Sequence, residues 1–149
     1  MAGSRHLMSR LVYKAAMNDN TCTMTCPCGS NKEYAQCCQP YVEQTITAPT
    51  AEALMRSRYT AFVLRKTDYL RYSWHPDTCP DDIQLDPKTR WLGLKIINII
   101  AGGVSDSTGE VEFVARSKID GRASRLHEIS RFTREHGRWL YVDGDLVSK

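Results

Sequence analysis

The sequence predicts an α+β protein in which a small cysteine-rich module precedes one globular domain. Three observations support this prediction. Four cysteines lie close together in residues 26–38, apolar residues recur at helical spacing in residues 51–66, and the pattern changes to that of strands near residue 90. Two helices followed by consecutive strands are typical of an α+β fold.

Composition narrows the classes of function. The chain has 149 residues, of which 42% are hydrophobic, and a formal net charge of +3, so one principal domain is expected. This weak charge does not favour nucleic acid as a direct target, and no apolar run approaches the roughly 20 residues of a membrane span. The N-terminus lacks the apolar segment of an export signal, so we expect a cytoplasmic protein whose six cysteines stay reduced.

The N-terminal segment, residues 1–23, differs from the rest of the chain because its basic residues all precede the first acidic one, Asp19. It has two interpretations, a flexible tail or a presequence, and the second would make the protein organellar instead of cytoplasmic. We expect the tail. Residues 24–40 then form the cysteine module, and residues 41–149 form the main α+β domain.

The module holds two close pairs of cysteines separated by eight residues, Cys26 with Cys28 and Cys37 with Cys38. Zinc prefers four soft ligands in a tetrahedron, and two close pairs on a short loop supply them. The alternatives are disulfides or free thiols, but adjacent cysteines rarely bridge each other because the geometry is strained. Four thiolates leave no position for water, so we expect a structural zinc ion.

Helical periodicity follows the module. The apolar spacing predicts one helix over Ala51–Lys66, capped by Thr50, and a second, shorter helix over Asp68–Ser73. Residues 75–88 contain three prolines and four aspartates, so they are expected to form a loop.

The last third of the chain predicts a meander of four antiparallel strands. The first strand is rich in Ile and Leu, which predicts burial on both faces, and the dipeptide Asp120-Gly121 predicts a hairpin between the second and third. The strands are expected at Arg90–Ile100, Glu110–Ile119, Arg122–Arg134 and Arg138–Asp143. Four aromatic residues of these strands are expected to be mostly buried: Trp91, Phe113, Phe132 and Trp139.

The cysteine segment resembles the SEC-C motif, first noted at the C-terminus of the preprotein translocase motor. That motif reads Cys-x-Cys, Gly-Ser, a basic and aromatic stretch, and then Cys followed by Cys or His, and all four cysteines of the module match its ligands. Further segments resemble the YchJ family of SEC-C proteins: LMRSRY at 54–59, WHP at 74–76, WLGL at 91–94, FVAR at 113–116 and WLYVDG at 139–144. The resemblance implies that the main domain is similar to nuclear transport factor two, a cone-shaped domain of helices packed on a curved antiparallel sheet.

Cone folds of this kind often hold a pocket between helix and sheet. The candidate pocket residues are Arg56, Tyr59, Trp74, His75, Glu128, Arg131 and Asp143. His75 and Glu128 would serve as acid and base if they met there. The alternative, which we favour, is that the aromatic residues belong to the core and the charged residues form ion pairs. No nucleophile elbow, phosphate loop or dinucleotide fingerprint is present in the sequence, so an enzyme is the less expected outcome.

These observations predict a zinc-binding accessory protein. By analogy with the translocase module, the SEC-C module is expected to mediate contact with a protein or the ribosome, and Lys32 and Tyr34 are the residues it would present. The alternative is a small-ligand-binding protein or an enzyme that uses the cavity of the cone.

Overall fold

The computed structural model describes residues 24–148, and the tail or presequence expected at residues 1–23 lies outside them. The described residues form the predicted α+β fold, with short helices packed on a four-stranded sheet. A one-turn 3-10 helix (Tyr34–Gln36) is followed by α1 (Gln39–Val42), α2 (Ala51–Leu64), α3 (Thr67–Tyr72), β1 (Thr89–Ala101), β2 (Thr108–Ile119), β3 (Arg122–Glu135) and β4 (Arg138–Leu146). Within this part of the chain, no helix has the length and apolar character needed to cross a membrane.

The main helix, α2, begins where the sequence predicts and ends slightly earlier. The hydroxyl of Thr50 accepts a hydrogen bond from the amide of Ala53 at 3.0 Å, which satisfies a free donor of the first turn. The helix stops at Leu64 instead of Lys66, because Arg65 adopts a left-handed conformation with φ of 60°.

The sheet has the strand order β1-β2-β3-β4, and every neighbouring pair is antiparallel, which confirms the predicted meander. Two tight turns join its last three strands. Asp120 and Gly121 have φ of 53° and 80°, and His136 and Gly137 have φ of 55° and 77°. Positive φ at both central residues is the geometry of a two-residue hairpin that follows the sheet twist, so the Asp-Gly prediction is confirmed.

The prediction that the first strand is buried on both faces is wrong. β1 lies at the edge of the sheet, and four of its large apolar residues are substantially exposed: Leu92 (49%), Ile97 (45%), Ile99 (41%) and Ile100 (56%). Its pairing with β2 is interrupted by register shifts between Trp91 and Gly93 and between Ile96 and Asn98. Trp91 is therefore only half-buried, whereas Phe113, Phe132 and Trp139 are buried as predicted.

The core lies between α2 and the inner face of the sheet. Phe132 and Trp139 are its largest fully buried side chains, and the indole of Trp139 donates to the carbonyl of Pro49 at 3.2 Å. The same continuous cluster of buried residues includes Cys26, Cys28 and Cys38. The cysteine module therefore packs into the core of the main domain.

Candidate metal centre and neighbouring cavity

A folded-back loop brings the two cysteine pairs together. Gly29 and Asn31 adopt positive φ of 86° and 69°, which reverses the chain between the pairs. The amide of Cys26 donates to the carbonyl of Lys32 at 2.8 Å, and the amide of Tyr34 donates to the carbonyl of Met24 at 2.8 Å. These backbone bonds fix the loop without any contribution from the thiols.

The four cysteine sulfur atoms are gathered at one point. The Sγ atoms of Cys26, Cys28, Cys37 and Cys38 all lie within 4.8 Å of one another, with 3.7 Å between Cys28 and Cys37 and 3.9 Å between Cys37 and Cys38. A tetrahedron with metal–sulfur bonds of about 2.3 Å has sulfur–sulfur edges of about 3.8 Å. A disulfide would require about 2.0 Å. The four residues therefore fit a metal ion better than a disulfide.

The sulfur cluster is sheltered from water by α2 and by its own loop. Cys26, Cys28 and Cys38 are buried, and Cys37 is half-buried. Two hydroxyls accompany them: Ser30 Oγ lies 3.2 Å from the Sγ of Cys37, and Thr60 Oγ1 lies 3.7 Å from the Sγ of Cys26.

Arg56, one of the candidate pocket residues, lies beside this centre and forms an ion pair, which was the favoured interpretation of the charged candidates. Its Nη1 donates to the carbonyl of Cys28 at 2.8 Å and lies 3.9 Å from the Sγ of the same residue. Its Nε donates to the carboxylate of Glu52 at 2.9 Å. Arg56 and Thr60 are four residues apart on α2, so helical spacing gives a sequence signal for the face that receives the module.

The protons of the thiols depend on each other because the sulfur atoms are so close. Hydrogen bonds from the thiols of Cys26 and Cys38 lower the pKa of Cys28 and favour its thiolate. The hydrogen bond to Cys26 raises the pKa of Cys38, and burial raises the pKa of Cys37. Without a cation the cluster therefore retains protons, and a bound divalent cation would replace them.

A cavity of about 190 Å³ lies on the opposite side of α2, between this helix and the sheet. Three of the seven residues expected in a pocket line it: Tyr59, Trp74 and Glu128. Its other walls are mostly apolar and aromatic. They are formed by Met55, Arg58, Phe62, Trp91, Phe113, Ala115, Leu126, Ser130 and Tyr141.

Arg58 is the charged residue of the cavity that was not among the residues proposed from the sequence. Its side chain is only 3% exposed, and its Nη1 donates to Ser73 Oγ at 2.7 Å and to the carbonyl of Leu70 at 3.0 Å. Its guanidinium lies 4.7 Å from the ring centre of Trp74 and 4.6 Å from that of Tyr141. The sequence signal was an arginine at an apolar position of the helical pattern. Arginine is rarely buried unless its charge is paired with another group.

Glu128 is held against the wall of the cavity by two hydroxyls. Its Oε2 accepts from Ser130 Oγ at 2.8 Å and from the Tyr141 hydroxyl at 3.1 Å. Burial, with the nearby charge of Glu128, raises the pKa of Tyr141, so this hydroxyl stays protonated and can donate. The Glu128 side chain also passes close over the backbone of Gly144.

His75 and Glu128, which would serve as acid and base only if they met in the pocket, have different partners. His75 Nε2 lies 2.9 Å from the carboxylate of Glu135, and the backbone amide of His75 donates to the carbonyl of Tyr141 at 2.8 Å. His127 is half-buried and lies 2.7 Å from the carboxylate of Glu112.

Two other candidate residues, Arg131 and Asp143, also lie outside the cavity. Arg131 Nε donates to Asp143 at 2.7 Å, and its Nη1 donates to Asp145 at 2.8 Å. These carboxylates raise the pKa of Arg131, and all three side chains are well exposed. The cluster is a surface ion-pair network, which is the arrangement that we favoured from the sequence for the charged candidate residues.

The two residues expected to contact a partner differ in exposure. Lys32 is exposed, whereas Tyr34 is half-buried and packs against the core cluster. Burial raises the pKa of Tyr34, in agreement with this position. The exposed residues of the module are Met24, Thr25, Gly29, Asn31, Lys32, Glu33, Ala35 and Gln36.

Comparisons with protein families match nearly all of the described chain. The SEC-C motif matches residues 25–40, and the family described as "YchJ, middle NTF2-like domain" matches residues 50–144. A UPF0225 protein of Cupriavidus pinatubonensis is 52% identical over 131 residues, which cover 83% of this chain and 90% of the relative.

Two solved structures share the fold. The solution structure of a SEC-C motif containing protein from Rhodopseudomonas palustris has a TM-score of 0.73 and 36% identity, and covers 84% of this chain and 100% of that one. The crystal structure of a SEC-C motif containing protein from Psychrobacter arcticus has a TM-score of 0.66 and 28% identity, and covers 85% of this chain and 84% of that one.

Proposed function

The chain belongs to the YchJ family of SEC-C motif proteins, and on that premise we propose that it is a zinc-binding accessory protein whose SEC-C module contacts another protein. The spacing of the four sulfur atoms carries the metal part of this proposal. Soft thiolates select zinc among the abundant divalent cations, and four of them fill its tetrahedral sphere.

The proposed role of the zinc ion is structural. With four protein ligands the ion keeps no position for water, so it has no place to activate a nucleophile. Its ligands lie on both sides of a short loop whose buried side rests on α2 through Arg56 and Thr60. The ion would hold this loop closed against the helix and fix the surface that the loop exposes.

The proposed contact surface is the exposed side of the module. Lys32, Glu33 and Gln36 project there from a loop fixed by backbone hydrogen bonds, so a partner would meet side chains on a rigid base. The burial of Tyr34 favours a packing role for this residue, so the contact is assigned to the polar side chains around it.

A pull-down with two variants tests this proposal. Wild-type protein is immobilised beside the double variant Lys32→Glu, Gln36→Glu and beside the matched control Lys118→Glu, which changes an exposed lysine on β2. We expect wild type and control to retain the same partner protein and the double variant to lose it, while all three keep their metal. Equal retention by all three would contradict the contact surface.

A second function, binding of a small ligand, is favoured by one observation of its own. The cavity contains a buried arginine, Arg58, and a carboxylate, Glu128, within otherwise apolar walls. A largely apolar cavity with a few convergent polar groups is the usual form of a ligand site.

A further inference from the structure

The cavity between α2 and the sheet has the size of a molecule with one ring. Its volume is about 190 Å³, and an engineered apolar cavity of about 150 Å³ in another protein holds benzene. Phe62, Trp91 and Phe113 contribute aromatic side chains to the walls, and such rings pack favourably on the face or edge of a flat ligand.

One wall carries a buried positive charge without an ion-pair partner. Arg58 makes its hydrogen bonds through Nη1 to a hydroxyl and a carbonyl, and no carboxylate among residues 24–148 lies within ion-pair distance of it. Burial lowers the pKa of Arg58 to about 10, so the side chain remains charged at neutral pH. The nearby charge of Glu128 offsets only part of the cost of burying Arg58, and an anionic ligand in contact with the guanidinium would offset more of it.

A hydrogen-bond donor on the same wall lacks an acceptor. The indole Nε1 of Trp74 is buried and has no hydrogen-bond partner among the described residues. Trp74 lines the cavity, and its ring stacks on the guanidinium of Arg58. Buried donors are rarely left unsatisfied in folded proteins, so this indole N–H beside a guanidinium indicates a missing acceptor.

The negative charge of Glu128 determines how such a ligand would lie. Its Oε2 is occupied by the hydroxyls of Ser130 and Tyr141, and it would repel an anionic group placed beside it. The anionic group must therefore bind at Arg58. A hydroxyl or amino group on the far side of the ring would be able to donate to Glu128.

We propose that the cavity binds a small carboxylic acid with one aromatic ring, its carboxylate on Arg58 and its ring among the aromatic side chains. This inference rests on the second proposed function, ligand binding in the cavity. The carboxylate would accept from guanidinium nitrogens that the protein leaves free, and charge-assisted bonds of this kind are the strongest hydrogen bonds available to a buried arginine.

Calorimetric titration of the metal-loaded chain with benzoate and with its neutral analogue benzamide tests the ligand class. We expect benzoate to bind about tenfold more tightly, because only the anion gains a charge-assisted bond to Arg58. The variant Arg58→Gln should bind both compounds equally weakly. The control Arg131→Gln, which removes an exposed arginine, should behave as wild type.

The variant Ala115→Leu tests whether binding occurs within the cavity, because it adds volume at a residue that lines the cavity and leaves the Arg58 side chain in the protein. It should weaken binding of both compounds, and it keeps the test decisive if Arg58→Gln fails to fold. Equal affinity of wild type for benzoate and benzamide would overturn the carboxylate inference and leave ligand binding standing. No binding of either compound at millimolar concentration would overturn both.

Discussion

Arg56 and Arg58 lie two positions apart on α2 and serve opposite sides of the helix. Residues two positions apart in an α-helix are separated by about 200° of rotation, so their side chains point in nearly opposite directions. Arg56 donates to the backbone of the cysteine loop, and Arg58 forms a wall of the cavity. A single helix therefore connects the metal centre with the cavity.

The hydrogen bond from Arg56 to the loop predicts a measurable loss of stability. In Arg56→Gln the carbonyl of Cys28 loses its donor, and we expect the free energy of unfolding to fall by about 1–2 kcal/mol. Urea unfolding followed by circular dichroism measures this change.

The control for this variant is Glu52→Gln, which weakens only the helical ion pair of Arg56 and should cost less than about 0.5 kcal/mol. If the two variants proved equally stable, the bond between α2 and the cysteine loop would have no energetic importance.

At the scale of elements, the apolar strand β1 shows where a pattern misleads. A continuous run of Ile and Leu is typical of a central strand covered on both faces, but strand order is a property of the whole sheet. β1 is the first strand of a meander, so it has a neighbour on one side only. The residues that cover or expose it are distant in sequence, and no local pattern contains that information.

Because β1 is exposed, replacing one of its large apolar residues by alanine should reduce the free energy of unfolding much less than the same kind of change in the core. Ile100→Ala, at a residue that is 56% exposed, should cost less than about 1 kcal/mol. Phe132→Ala, at a fully buried residue of β3, should cost about 3–5 kcal/mol. Chemical denaturation of both variants gives the comparison. A large loss at Ile100 would mean that this strand is covered in solution.

At the scale of the whole molecule, local sequence patterns predicted the fold and the cysteine cluster, but they predicted few of the residues that line the cavity. Cysteine spacing identified a cluster that the structure brings within metal-binding distance, and the Asp120-Gly121 turn predicted a hairpin that is present. The lining of the cavity was predicted only in part. Three of the candidate residues line the cavity, Tyr59, Trp74 and Glu128. Arg58 was missed because its burial depends on contacts with Ser73 and Tyr141.

The sequence also did not predict that the cysteine cluster packs into the core of the main domain. The spacing indicated a self-contained module, yet Cys26 and Cys38 belong to the same buried cluster as Leu54 and Tyr59. Fifteen residues bury little surface alone, and contact with α2 gives the module a large apolar neighbour. We expect the metal to stabilise the whole domain for this reason.

The central claim is that the four cysteines bind one zinc ion, and metal analysis of purified protein tests it most directly. The protein is prepared under reducing conditions without chelators, as wild type, as Cys28→Ser and as the control Cys79→Ser, which changes a thiol remote from the cluster. We predict about one zinc per chain in wild type and control, and a clear loss in Cys28→Ser, because three thiolates no longer close the sphere. A wild-type protein without zinc, or equal zinc in all three proteins, would contradict the account.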